Sequence, residues 1–150
     1  MMKKKFVDKR FASRSDDYHE VISAIESTQK CPFCRENFKY HKNPILKEEQ
    51  GWIITENSWP YENTEHHFIL IGERHIEQFS ELTIEDFSAV KALIDWSIRE
   101  YNIPGGGIAL RFGDTSHTGS TVCHLHFHLI VPKKSAKKNK SVETVWFPFG

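Results

Sequence analysis

The chain has 150 residues, enough for one domain that buries roughly two thirds of the surface its unfolded form would expose. Its 20 Lys+Arg balance 20 Asp+Glu, so no global field calls for nucleic acid or a membrane surface. No apolar run reaches the length of a membrane span, and the basic start at residues 1–10 has no apolar stretch behind it; the expectation is a soluble, cytoplasmic protein.

Residues 14–29 predict a helix, with Val21, Ile22 and Ile25 on one side and Ser15 as its cap. Residues 1–30 read as an N-terminal extension. Three cysteines are too few for a disulfide framework, but Cys31-Pro32-Phe33-Cys34 has the spacing of a zinc knuckle. In a reducing compartment such a pair is more often metal-binding or redox-active than a structural disulfide. A thioredoxin-like site would want a strand before it and a helix after it, whereas Lys30 precedes and Arg35-Glu36-Asn37 follows. Metal is the favoured reading, with two packed, reduced thiols as the alternative.

Residues 45–47 and 52–55 are expected to pair as strands across Glu48-Glu49-Gln50-Gly51. Residues 57–65, with Pro60, read as loop, and His67-Phe68-Ile69-Leu70-Ile71 as a buried strand ending at Gly72. Thr83-Ile84-Glu85-Asp86 resembles a capping box. Behind it Phe87, Val90, Ile94, Ile98 and Tyr101 fall on one helical stripe, read as core. Pro104-Gly105-Gly106-Gly107 stops that helix, residues 108–112 form a strand, and a loop of small and polar residues follows. This order predicts an α+β fold with a mainly antiparallel sheet, a long helix and a second helix.

Last in the core comes Cys123-His124-Leu125-His126-Phe127-His128-Leu129-Ile130-Val131-Pro132. A strand turns alternate side chains to one face, so His124, His126 and His128 are expected to project together. The ends of that file lie roughly 13 Å apart on a strand, too far for one tetrahedral metal to collect all three rings. The middle ring is therefore free for other work. A neutral imidazole held in one tautomer can attack phosphorus, while flanking histidines donate to the phosphoryl oxygens. Gly119-Ser120-Thr121 adds hydroxyls and backbone amides for the same oxygens. The remaining histidines, His19, His41, His66 and His117, read as surface residues.

His124-Leu125-His126-Phe127-His128-Leu129-Ile130 resembles the histidine triad (HIT) motif, His-x-His-x-His followed by apolar residues. Supporting matches are His67-Phe68-Ile69-Leu70-Ile71, then Arg74-His75-Ile76, and Gly119-Ser120-Thr121-Val122. Arg111-Phe112-Gly113-Asp114 resembles a segment of dinucleoside-polyphosphate phosphorylase-like members. The resemblance spans residues 31–132 and implies a HIT-like antiparallel sheet of about five strands, commonly paired into a homodimer. It implies a nucleotide hydrolase or nucleotidyltransferase acting at a nucleoside α-phosphate, with a purine nucleotide as the expected partner. His126 would attack to give a nucleotidyl-histidine, with His128, His124 and His67 completing the catalytic set. Thr121 and Ser120 would contact phosphate and Asn57 ribose. In zinc-containing relatives the ligand set maps onto Cys31, Cys34, His75 and His124, a structural zinc site. The chain departs from the family pattern where many members have Asn, here Gly113 and Asp114, and where many have Gln, here Ser120. Two rival expectations are a nucleotide-binding module with little or no turnover and a zinc enzyme using metal-bound hydroxide.

Residues 133–150 form a basic loop and an aromatic tail. Residues 133–140 hold five lysines, read as a solvated loop or as a lure for polyphosphate. Trp146-Phe147-Pro148-Phe149 is too apolar to be left in water and is expected on the chain's own sheet or on a dimer mate.

Overall fold

The structure, a computed structural model, describes residues 4–12 and 15–150. The first three residues of the basic N-terminus and Arg14 of the predicted helix lie outside the described residues. The elements are α1 (Asp16–Thr28), β1 (Ile45–Glu49), β2 (Trp52–Glu56), β3 (Thr64–Gly72), α2 (Ile84–Glu100), β4 (Gly107–Leu110), α3 (Thr115–Thr118) and β5 (His126–Pro132). The strands form one five-stranded sheet, ordered β1-β2-β3-β5-β4, with every neighbouring pair antiparallel. The expected α+β architecture is therefore present. Among the described residues no helix is long and apolar enough to cross a membrane.

The β1–β2 turn is shorter than the sequence suggested. Gln50 and Gly51 alone span it, at φ 44° and 80°, the pair of positive φ values that a tight hairpin demands. β3 begins three residues earlier than predicted, at Thr64, because Thr64, His66 and His67 already pair with β5. Period-2 alternation then splits β3 and β5 between two faces. Phe68, Leu70, Leu125, Phe127 and Leu129 join α2 in the main core. His67, Ile69, Ile71, His126 and His128 belong to the other face.

α2 starts as its sequence signals. Thr83 accepts from the Asp86 amide, and the Asp86 carboxylate accepts from Thr83 N–H at 2.8 Å. The expected core stripe needs correction. The buried side is Ala89, Val90, Leu93, Ile94 and Ser97, whereas Phe87 and Ile98 are each 40 % exposed. Asp86 fixes the rotation: its carboxylate accepts from the Trp52 indole at 2.9 Å and pairs with Arg74. A helix with apolar residues on both flanks carries a stripe that sequence alone places a residue or two off.

The N-terminal extension covers the histidine face. Ser15 caps α1 through the Tyr18 amide, and Tyr18, Ile22 and Ile25 pack with Val7, Ala12 and Val122. Val7 bridges Val122, with Asp8 N–H donating to Thr121 O at 2.8 Å and Cys123 N–H to Phe6 O at 2.7 Å. The buried Asp8 carboxylate accepts from Arg10 at 2.7 Å and from Thr115 Oγ1 at 2.9 Å, with Lys5 beside it. Arg10 above all holds it well below the usual carboxylate range, against the effect of burial.

Candidate functional site

A cavity of about 170 Å³ opens on the histidine face of the sheet. His126 and His128 project into it from β5, one strand period apart, with ring centroids 4.9 Å apart. The His126 Nδ1 lies 2.7 Å from the His124 carbonyl. A carbonyl can only accept, so Nδ1 carries the ring proton and Nε2 keeps the lone pair when the ring is neutral.

A second chain of bonds sets His128. The Tyr61 backbone N–H donates to His67 Nδ1 at 3.0 Å. A neutral His67 therefore carries its proton on Nε2, which lies 2.8 Å from His128 Nδ1. His128 accepts there and bears its own proton on Nε2. One ring thus presents a lone pair and its neighbour an N–H, the pairing needed to attack phosphorus and hold its oxygens.

The loop before β5 supplies the cavity's polar edge. Thr121 Oγ1 bonds the Tyr18 hydroxyl at 2.5 Å, and Tyr18, Ile22 and Ile25 of α1 all line the cavity. Ser120 lines the cavity but turns its hydroxyl to Val122 O at 3.0 Å. Asn57 also lines it. Its Oδ1 accepts from the Trp59 N–H at 2.9 Å, and its Nδ2 stands 3.4 Å from His67 Nε2.

His124 departs from its expected place in line. It precedes β5 rather than belonging to it, is 1 % exposed, and does not line the cavity of His126 and His128. Its Nε2 donates to Gly72 O at 2.8 Å, leaving Nδ1 for Cys31 Sγ at 3.4 Å and Cys34 Sγ at 3.8 Å. Cys34 Sγ also lies 3.5 Å from His75 Nδ1, and His75 Nε2 lies 3.6 Å from the Glu77 carboxylate. All four donor atoms sit within 4.8 Å of one another. A tetrahedral ion with bonds of about 2.0–2.3 Å would set its ligands about 3.3–3.8 Å apart, so the cluster has the dimensions to hold one. The carbonyl behind His124 is the kind of outer partner that orients a metal-binding imidazole, whereas the Glu77 carboxylate stands near His75 Nε2 beyond hydrogen-bond distance. Burial above all pushes the Cys31 thiol up to about 12, raises Cys34, and drops His124 to about 4. Such neutral donors in a dry pocket become thiolates only with a cation among them.

The structure also revises the other histidines. His41 lines the cavity, donating or accepting between Thr55 Oγ1 at 2.7 Å and Ser58 Oγ at 3.2 Å, and burial lowers it to about 4. His66 is half-buried and stacks on Phe68 at 5.3 Å. His19 and His117 are exposed, as expected. Of the aromatic tail only Phe147 packs on the chain's own site, meeting His128 edge-on at 5.0 Å and Tyr61 at 5.7 Å; against expectation, Trp146 and Phe149 are 83 % and 66 % exposed. The lysine-rich segment is an exposed hairpin closed by a Lys134–Val142 bridge.

Sequence reasoning missed Tyr18, Asp8 and Arg111. Tyr18 falls inside the predicted helix, and nothing in its local pattern marks it for the site. Arg111 was legible only as part of a motif, because its place beside His126 depends on strand register.

Comparison with known proteins gives this geometry a context. Residues 30–143 match the family described as "Scavenger mRNA decapping enzyme C-term binding". A histidine triad protein from Clostridium difficile is similar in structure at 18% identity and a TM-score of 0.55, over 73% of this chain and 96% of that one. A HIT family hydrolase from Clostridium thermocellum is similar at 21% identity and 0.54, over the same shares, 73% and 96%. A Zn-bound histidine triad family protein from Mycobacterium smegmatis is similar at 22% identity and 0.53, over 74% and 80%. A search of curated proteins returned no match.

Proposed function

The chain belongs to the HIT-like family described by that scavenger decapping domain, and on that premise we propose that it is a nucleotide hydrolase or nucleotidyltransferase working through His126. The observation that carries the proposal is the bond from His126 Nδ1 to the His124 carbonyl, which leaves Nε2 as a nucleophile in the cavity. In the first step Nε2 forms a bond to the α-phosphorus of a nucleoside phosphate. The bond from phosphorus to the leaving group breaks, and its electron pair departs with that group. In the second step an oxygen of water, or of phosphate, attacks the same phosphorus. The N–P bond breaks, its electrons return to Nε2, and when the attacker is water its proton goes to solvent. His128 Nε2–H and the Thr121 hydroxyl hold the phosphoryl oxygens through both steps. His67 keeps His128 in the donating tautomer, and Asn57 lies where a ribose would rest.

Beside this site a structural zinc would be held by Cys31, Cys34, His75 and His124. Four protein donors close a tetrahedral shell, so the ion would brace the fold rather than bind water for attack. In support, the donor set is soft, of the right dimensions and backed at His124 by a hydrogen bond to the Gly72 carbonyl. A homodimer is part of the same proposal. β4 is one of the sheet's two edges, with Ile108 and Phe112 exposed beside the Phe79–Phe87 cluster, and an edge strand pairs most simply with its own copy about a twofold. Light scattering reads it, with a dimer of the wild type and a monomer of Ile108→Lys expected.

The direct test is product analysis. Diadenosine polyphosphates and adenosine 5′-phosphoramidate are incubated with the protein, and AMP release is followed by chromatography. Release by the wild type and its loss in His126→Ala are expected. Nucleotide binding without any product would leave a binding module and contradict the enzymatic reading.

A further inference from the structure

Arg111 is a cation without a counter-ion. It is 9 % exposed, and among the described residues no carboxylate lies in ion-pair range of its guanidinium. Arg10 and Arg74, by contrast, each pair with a buried aspartate, Asp8 and Asp86. Buried charges normally persist only when paired. What holds Arg111 is neutral. Nε and Nη2 donate to Pro148 O at 3.0 and 2.5 Å, Nη2 also donates to the Tyr61 hydroxyl at 3.0 Å, and the Phe147 ring lies 3.9 Å from the guanidinium carbon. These contacts orient the fork without neutralising it. Nη1, with two N–H groups, has no hydrogen-bond partner among the described residues.

Its place in the sheet explains what it is oriented toward. Ala109 lies opposite His128 in the β4–β5 ladder. Two residues on, Arg111 leaves the strand on the same face. It lines the cavity together with His126, His128 and Thr121. A fixed, planar, uncompensated donor beside a phosphoryl-transfer nucleophile matches the chemistry of phosphate.

We propose that Arg111 binds the phosphoryl group adjoining the α-phosphate, so that the site selects substrates whose leaving group is itself a phosphate chain. This rests on the covalent reading of His126 for its catalytic consequence, though not for binding. When His126 displaces a phosphoanhydride, the breaking P–O bond leaves its electrons on the departing phosphate. The guanidinium stabilises that growing charge and transfers no proton. An amine leaving group gains nothing from it, since breaking a P–N bond requires that the nitrogen take up a proton. Arg111 is in this sense a specificity-determining residue, and the tail that carries Pro148 is the wall that aims it.

Two measurements on wild type and Arg111→Gln test this. Calorimetric binding of ADP and AMP reads the subsite without turnover: ADP affinity should fall about 10- to 100-fold and AMP affinity less than about 3-fold. Hydrolysis reads its use: kcat/KM on diadenosine tetraphosphate should fall by a similar factor, with adenosine 5′-phosphoramidate within about 3-fold. Equal losses for ADP and AMP would make Arg111 a tail anchor only, and an unchanged ADP preference would leave it no role; either result overturns the proposal. Failure of the wild type to turn over any substrate would sink the covalent reading alone, because the ADP-to-AMP ratio still decides the subsite. Should Arg111→Gln not fold, Arg111→Lys, which keeps the charge but not the fork, is read in the same way with about 3- to 10-fold expected on ADP.

Discussion

His124 and His126 stand two residues apart and are chemically the same, yet each ring is committed at the opposite nitrogen. The Gly72 carbonyl takes the proton of His124 Nε2 and turns Nδ1 toward two thiols. The His124 carbonyl takes the proton of His126 Nδ1 and turns Nε2 toward a cavity. Neither assignment is set by the residue type. Each follows from which backbone oxygen the ring meets, and the two are coupled because the carbonyl that serves His126 belongs to the residue anchored in the cysteine cluster. On the proposed reading one end of the row would clamp a metal and the other would work on substrate.

The comparison is sharpened most by removing the working ring. His126→Ala is expected to lower kcat/KM by ~10⁴-fold or more, while bound metal and Tm stay near wild type. A simultaneous loss of metal would show that the two rings are one structural unit after all.

The clamp is next. Cys34→Ser, or prolonged chelation, should reduce metal content from the one zinc per chain expected of the wild type and lower Tm by about 10 °C or more, measured by elemental analysis and calorimetry. His126 should lose activity only as its carbonyl partner shifts, so residual turnover should exceed that of His126→Ala. His67→Ala is expected to cost about 10- to 100-fold in kcat, because His128 loses the bond that fixes its tautomer, with metal content unchanged. An equal fall in zinc would place His67 on the clamp side.

The smallest effect lies away from both rings, at Asp86. Burial raises the Asp86 carboxyl, but Arg74, Thr83 and Trp52 bond its charged form and hold it at about 2, against an ordinary value of 3.8. A carboxylate depressed in the folded state stabilises fully above its unfolded pKa and loses that contribution as pH falls from about 4 toward 2. Urea titrations across that window should show a decline in wild type that is shallower in Asp86→Asn.

What could be read beforehand divides along the same line. The period-2 row of histidines, the Cys31–Cys34 spacing and the Thr83 capping box are local patterns, and local patterns survive folding. The split between His124 and His126 is not local. It depends on Gly72 O, fifty-two residues from His124 in sequence. Tyr18 on Thr121 and Arg111 beside His126 likewise come from packing between distant segments. The α2 stripe held at Val90, Ile94 and Tyr101 but not at Phe87 and Ile98, where contacts from another element, such as Trp52 on Asp86, bear on how the helix is turned.

The most direct measurement of the central claim is a rapid-quench reaction with diadenosine tetraphosphate, followed by peptide mapping under alkaline conditions. An adenylyl group on His126, formed and lost at rates matching turnover and absent from His126→Gln, is the predicted result. Full turnover with no such adduct, or an adduct on His128 or Cys123 instead, would contradict it.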